Sequence, residues 1–458
     1  MGSGKHLFID LALIEKAENV RLVVNKPFKT GERCISAEYP WEGHRIGAYN
    51  TVMEDEGVYK MWYDAIDNRG NRWLCYATSE DGVLWEKPMM SLVPYGEFKE
   101  TNIVFPPRPV PFEPGCVFRD ENPDCARDER YKMVCSYAPE KGKRGVYVFA
   151  SPDGLNWKTL SEEPAFRPSD TGNICFWDRR IGRYVSYVRV WAPMRKVGRC
   201  EFTDITDWGR EETVFSYDEL DPPDMDFYTS AAIKYPYAED VYLMFPSAYY
   251  HYPDPPVGKY RNDGPLDVRF AVSRDGRVWS RIDRTPFIPL GVEGDFDDSA
   301  IYMVTGLIKR GDEIFMYYVG YDFTHGAYNV ETDRFKGVIS RVVLRVDGFV
   351  SLDSGYTPGR VVTVPITFTG DRLELNVSTG VAGEVRVELL DLEGRPIPGY
   401  SLKDSDEIKG NYISKTVTWG GNPDVGGLEG TPVRLHIHLR DAKLYALQFS
   451  DEHTDKSQ

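Results

Sequence analysis

The chain has 458 residues, 41% hydrophobic and 28% charged, with a formal net charge of −16. This length is more than one small core needs and implies a second domain, while no stretch reaches the apolar length of a membrane span. The acidic balance argues against nucleic acid or an anionic membrane as partner and leaves neutral and cationic ligands open.

The first elements in chain order are short strands at 7–10 and 20–24, put forward to close a ring with a later strand. The one helical candidate lies between them, around 11–17, and is short for a helix. Next come five aromatic strand-like runs, beginning at Tyr59, Tyr131, Tyr184, Tyr242 and Phe315 and spaced 53 to 73 positions apart. That period fits one four-stranded propeller blade with its loops.

Three of the repeats close on the same turn: Ser79-Glu80-Asp81-Gly82-Val83-Leu84-Trp85, Ser151-Pro152-Asp153-Gly154-Leu155-Asn156-Trp157 and Ser273-Arg274-Asp275-Gly276-Arg277-Val278-Trp279. A degenerate copy follows the third run at Asp204-Ile205-Thr206-Asp207-Trp208. The Asp caps the turn, the Gly supplies a positive φ and the Trp packs between neighbouring blades, so these aspartates are structural.

After residue 352 the texture changes to short alternating strands punctuated by Gly, Pro and Asp. The expected fold is therefore all-β: a five-bladed β-propeller over 1–352, followed by a C-terminal β-sandwich over 353–458. The blades fall at about 46–105, 113–165, 170–217, 226–288 and 295–350. His436 and His438 share one strand face, but with no third ligand they read as surface residues rather than a metal site.

Cys34, Cys75, Cys116, Cys125, Cys135, Cys175 and Cys200 are odd in number and form no CxxC pair, which favours free thiols in a reducing cytoplasm. Met1-Gly2-Ser3-Gly4 is compatible with a removed leader, so localisation is weakly fixed. Oligomeric state has no sequence signal.

In a propeller, the starts of the innermost strands and the loops between the second and third strands surround one funnel. Four of the five strand starts carry acids: Glu113, Asp170, Asp226, and Asp297 with Asp298. The loops add Asp64, Arg189, Trp191, Tyr249, Tyr250, His251, Tyr252, Tyr321, Asp322 and His325. Glycosidic cleavage needs one protonated carboxyl and one ionised carboxylate, and aromatic rings offer platforms for sugar faces. Asp170, Asp226, Asp297 or Asp298, and Glu113 are the catalytic candidates. Tyr49, Asn50, Arg189, Trp191, Tyr228, Tyr250, His251, Asp322 and His325 are the binding candidates. No cofactor is called for; the Asp-rich stretches 221–226 and 293–298 permit Ca²⁺ without the spacing of a calcium loop.

The repeats with their Ser-x-Asp-Gly-x-x-Trp turns and the strand-rich tail resemble the five-bladed propeller glycoside hydrolases, families 32 and 43, the invertase-like and arabinanase/xylosidase-like enzymes. The resemblance covers essentially the whole chain and is one of architecture. Invertase-like enzymes carry a Trp-Met-Asn-Asp-Pro-Asn nucleophile motif in the first blade, where this chain has Arg45-Ile46-Gly47-Ala48-Tyr49-Asn50-Thr51. Their Arg-Asp-Pro is similar in letters to Arg119-Asp120-Glu121-Asn122-Pro123. Arabinanase-like enzymes place acids at the starts of blades one, three and four; Asp170 and Asp226 match the last two in location, and the first is missing. The resemblance implies hydrolysis of an oligosaccharide or polysaccharide. A lectin-like binding propeller is the alternative reading, and a protein-interaction scaffold the second.

Overall fold

The computed structural model describes all residues except 1, 3, 107–110, 168–169, 171, 192, 255–261, 328–336 and 452–458. The chain is nearly all-β and splits into two compact units, one of residues 27–234 and 242–343, the other of residues 1–26, 235–241 and 344–458.

The larger unit has a propeller-like arrangement in which four blades are distinguished. The first sheet runs Ile103–Phe105, Arg72–Ser79, Val58–Ile66, and on the last of these pair both Thr51–Asp55 and Arg45–Ile46. Two four-stranded meanders follow, Phe112–Arg119 to Lys158–Thr159 and Ile174–Asp178 to Glu212–Phe215. The fourth and fifth aromatic repeats do not separate in the same way. A parallel bridge from Leu266 to Ala300 joins them into one nine-stranded sheet, so the five repeats do not give one sheet each. Pro246 has no N–H to give a ladder and splits the fourth repeat into Tyr242–Met244 and Ser247–Tyr250. Tyr242–Met244 belongs to a separate three-stranded sheet with Ile233–Lys234 and Ala271–Ser273.

The turn motif does what its residues dictate. In each copy the Ser hydroxyl accepts the Gly N–H, and one Asp oxygen accepts the next two N–H groups. Gly82, Gly154 and Gly276 have φ of +72°, +78° and +71°, which side chains rarely adopt. Each turned-out Gly carbonyl then accepts a bond from another repeat: Gly82 from Tyr317, Gly154 from Trp62 at 2.7 Å and Gly276 from Tyr187 at 2.8 Å. Trp85 and Trp279 pack edge-on against the same Tyr317 and Tyr187 rings.

A second latch was not anticipated. Asp55, Asp120 and Asp178, near the ends of their strands, each accept the hydroxyl of the tyrosine that opens the next repeat, Tyr131, Tyr184 and Tyr242. Each also pairs with a lysine: Lys60 at 2.7 Å, Lys132 at 3.0 Å and Lys234 at 2.8 Å. Burial opposes ionisation of Asp55, but its bonds to Lys60 and Tyr131 outweigh that and hold it down at about 2.

The smaller unit is one eight-stranded antiparallel sheet. Its path is Ile14–Glu18, Gly359–Thr363, Arg434–Ser450, Val350–Ser354, Arg21–Val24, with His6–Leu7 and Arg372–Leu390 also on Arg434–Ser450 and Asn411–Thr416 on Arg372–Leu390. Two long strands of 19 and 17 residues run through it, so hydrogen bonding alone does not divide it into two sandwich layers. Their inward residues, among them Leu375, Val377, Val385, Val387, Leu435, Ile437 and Leu439, are fully buried in one core.

The strands put forward for ring closure lie in this sheet. His6–Leu7 and Arg21–Val24 pair with Arg434–Ser450 and Val350–Ser354, while Phe28–Lys29 and Ile35–Ser36 pair with Val338–Arg345 in the larger unit. The helical candidate is the strand Ile14–Glu18, since a segment so short gains more from pairing with Gly359–Thr363 than from isolated helical turns. His436 bonds Glu388 at 2.6 Å, and among the described residues no group of three metal-ligating side chains occurs.

Candidate functional site

Alternation along Val58–Ile66 sends Tyr63 to bonds with Glu42 and Asn102, and Asp64 to the opposite face. Asp64 is fully buried. Its backbone N–H donates to Asn50 Oδ1 at 2.8 Å, and Asn50 Nδ2 donates to the Gly47 carbonyl at 3.0 Å, which fixes the 47–50 loop over the carboxylate. A Cβ on Gly47 would fall 1.8 Å from Asp64 Oδ2, so glycine is required there. Arg72 Nη2 stands 3.3 Å from Asp64, yet neither Asp64 oxygen has a hydrogen bond. Burial raises the Asp64 carboxyl above the ordinary range, opposed by Arg72 and Arg45.

Arg72 links this acid outward. Its Nη1 is 3.4 Å from Glu113, which also meets Arg144 at 2.9 Å, and its guanidinium lies 5.6 Å from the centre of the Tyr49 ring. The Tyr49 hydroxyl is 3.3 Å from that of Tyr228, bringing the first, second and fourth repeats together.

The second buried acid is Asp226. Its Oδ2 accepts the Arg195 backbone N–H at 3.1 Å and Arg195 Nη1 at 3.2 Å, with His251 Nε2 at 3.3 Å; its Oδ1 and Arg195 Nε have no hydrogen-bond partner. The Arg195 guanidinium packs 4.7, 4.9 and 5.4 Å from the rings of Trp191, Tyr228 and Tyr249. Tyr228 and Tyr249 also flank His325, whose Nδ1 is 2.7 Å from the Tyr302 hydroxyl. Burial, then Arg195 and Arg45, push His325 down to about 3, so it is neutral. Asp263 is buried and accepts the N–H groups of Gly264 and Gly326 through Oδ1, tying the fourth-repeat loop to the segment that bears His325. Asp170 pairs with Arg189 at 2.9 Å, and Arg189 lies 5.5 Å from Trp191, which is 59% exposed.

Ten sequence candidates therefore join one chain of contacts or stand in its loops: Glu113, Asp170, Asp226, Tyr49, Asn50, Arg189, Trp191, Tyr228, His251 and His325. The motif neighbours of Asp170, Ser169 and Thr171, lie outside the described residues. Four candidates go elsewhere. Asp297 accepts the Tyr318 hydroxyl at 2.6 Å and pairs with Lys29 at 2.6 Å; Tyr318 alternates away from Tyr321, which donates to Ile46. Asp298 caps its own loop through Gly294 N–H and Ser299, both at 2.7 Å. Tyr250 points to Arg269, because its strand neighbour Tyr249 takes the inward position. Asp322 is exposed, again one position out of phase with buried Tyr321.

Arg72, Arg195, Tyr302 and Asp263 were not among the candidates. Arg195 had a usable signal: it stands directly opposite Trp191 across the hairpin of Arg183–Trp191 and Arg195–Phe202. For Asp263 the sequence carries none, because its role comes from Gly326, 63 residues on.

No family model matches the chain. Two curated relatives are uncharacterized proteins from two strains of Mycobacterium tuberculosis, 27% identical over 170 residues and 26% over 166, each covering 33% of this chain. The chain spans about half the length of these relatives, 46%. Among solved structures, a glycoside hydrolase is similar at 15% identity and TM-score 0.48, with 70% of this chain and 92% of that one covered. The β-1,2-mannobiose phosphorylase of Listeria innocua is similar at 13% and 0.47, covering 72% and 98%. A thermostable family-43 glycoside hydrolase is similar at 16% and 0.44, covering 71% and 96%.

Proposed function

We propose that this chain is a carbohydrate-active enzyme that hydrolyses a glycosidic bond, with the five repeats forming a five-bladed ring and 353–458 a sandwich-like accessory domain. The observation that carries the reading is a pair of buried carboxylates, Asp64 and Asp226, with unpartnered oxygens in one aromatic-walled group. An unpartnered buried carboxylate oxygen is costly unless something else meets it; a donating sugar hydroxyl does so, and the glycosidic oxygen accepts from a protonated carboxyl.

The environments divide the roles. Asp64, raised by burial, is the proton donor to the leaving oxygen. Asp226, whose Oδ2 is occupied by Arg195, is the ionised partner and turns Oδ1 to the substrate. Glu113 and Asp170, both half-buried, supply further contacts to hydroxyls. Exposed Trp191 and half-buried Tyr228 offer ring faces to the sugar.

The test is release of product from aryl furanosides, aryl pyranosides and a polysaccharide panel by the wild type, Asp64→Asn, Asp170→Asn and Asp226→Asn. Turnover by the wild type that collapses in Asp226→Asn and Asp64→Asn supports the reading. Sugar binding without turnover in any protein replaces it with the lectin-like alternative. Turnover indifferent to all three substitutions removes the site.

A further inference from the structure

Among the described residues, the cations of this site are all arginines. Arg45, Arg72, Arg144, Arg189 and Arg195 stand among Asp64, Glu113, Asp170, Asp226 and Asp263, an even balance in a chain whose acids outnumber its Lys and Arg by 71 to 55. Charge neutralisation alone does not select arginine. The same fold meets each latch acid with a lysine, Lys60, Lys132 or Lys234, joined at Asp55 by Arg119 and Arg130, and meets Asp297 with Lys29. What arginine adds is a rigid fork of five N–H donors matched to a planar oxyanion.

Among the described residues, two of these forks are mostly unspent. Arg189 gives one nitrogen to Asp170, and Arg195 gives Nη1 to Asp226. Arg195 is 4% exposed, and its Nε lacks a hydrogen-bond acceptor. Both guanidinium groups lie within 5.5 Å of the exposed Trp191 ring, so the three residues form one patch combining a stacking face with spare cationic donors.

We propose that the saccharide bound here is acidic, with a carboxylate or sulfate oxyanion received by Arg189 and Arg195 while a sugar ring stacks on Trp191. The inference rests on the carbohydrate reading above and names its substrate class. The spare Arg195 Nε is the donor such an oxyanion satisfies, and a neutral sugar leaves it with a weaker acceptor. Asp170 and Asp226 keep one bond each to the two arginines, which holds the forks oriented before the ligand arrives.

The experiment uses the full chain on an immobilised panel of galacturonate, glucuronate and sulfated oligosaccharides, each beside its carboxyl-reduced or desulfated counterpart, at low and high salt. The expected result is a preference of about tenfold or more for one acidic member over its neutral counterpart, diminished by salt. Arg189→Gln should abolish that preference and Arg189→Lys retain part of it, with thermal melts showing both variants folded. If acidic members bind through uronates only, or through sulfates only, the source of the oxyanion is identified. Equal binding of acidic and neutral forms, or a preference unchanged in both Arg189→Gln and Arg195→Gln, overturns the proposal and leaves the carbohydrate reading intact. Absence of binding to every member, together with absence of turnover, overturns both.

Discussion

Two sets of buried aspartates in the larger unit are handled in opposite ways. Asp55, Asp120 and Asp178 are saturated, each by a lysine and a tyrosine hydroxyl of the next repeat, with Arg119 and Arg130 also on Asp55. Asp64 and Asp226 are equally buried but retain oxygens with no hydrogen bond. The first arrangement recurs from repeat to repeat and joins neighbours. The second, which buried Asp263 shares through its Oδ2, lies where the repeats meet. Burial of a carboxylate alone thus says little about its role, whereas the accounting of its lone pairs separates a latch from a site.

Substitutions should divide along the same line. Asp226→Asn is expected to lower turnover of a cleaved substrate by about 10²- to 10⁴-fold, the range for a lost acid–base group, while its urea midpoint stays near that of the wild type. A comparable loss of folding stability in that variant would place Asp226 among the latches.

Asp55→Ala is the converse, with an expected destabilisation of about 3 kcal/mol in urea unfolding, because Lys60, Arg130 and Tyr131 lose their shared acceptor. Sugar binding should be unaffected. The pH dependence has a definite sign. Asp55 sits at about 2 in the folded protein, below an unfolded value of about 4, so its contribution is complete above about pH 4 and is lost as pH falls towards 2. Urea midpoints of wild type and Asp55→Asn should therefore converge on acidification across that window.

Gly154→Ala should cost about 2 kcal/mol, since φ is +78° and the new Cβ would lie 2.6 Å from Trp62 Cζ2. Tyr184→Phe, which removes one hydroxyl from the Asp120 latch, should cost about 1 kcal/mol by the same measurement. At the site, His325 should show no titration by NMR between about pH 8 and 5, because burial keeps it neutral well below the ordinary histidine value of about 6.5. A His325 that titrates normally would mean the ring is open to water and the packed tyrosine group is wrong.

Much of the architecture was legible because its signals are local. The Ser-x-Asp-Gly turn carries cap, positive φ and packing Trp within seven residues, and three copies behave alike. The site was legible only to the level of strand starts and loops. Asp170, Glu113 and Asp226 could be placed that way, but Asp297 and Tyr250 could not, because one step along a strand exchanges the two faces. The latch aspartates were not singled out in the sequence, since the tyrosines whose hydroxyls they accept lie 64 to 76 residues away in the next repeat.

The sequence by itself determined a nearly all-β chain of recurring units, the turns that cap them and a supply of acids and aromatics at their ends. Periodicity and turn chemistry act over a few residues and need no knowledge of the rest. Only the tertiary structure decided that residues 1–26 join the C-terminal sheet, that Phe28–Lys29 pairs with Val338–Arg345, and that Asp64, Asp226 and Arg195 share one cluster. Those outcomes depend on strand register and on contacts between distant segments, where a shift of one residue changes which side chain faces inward and which faces water.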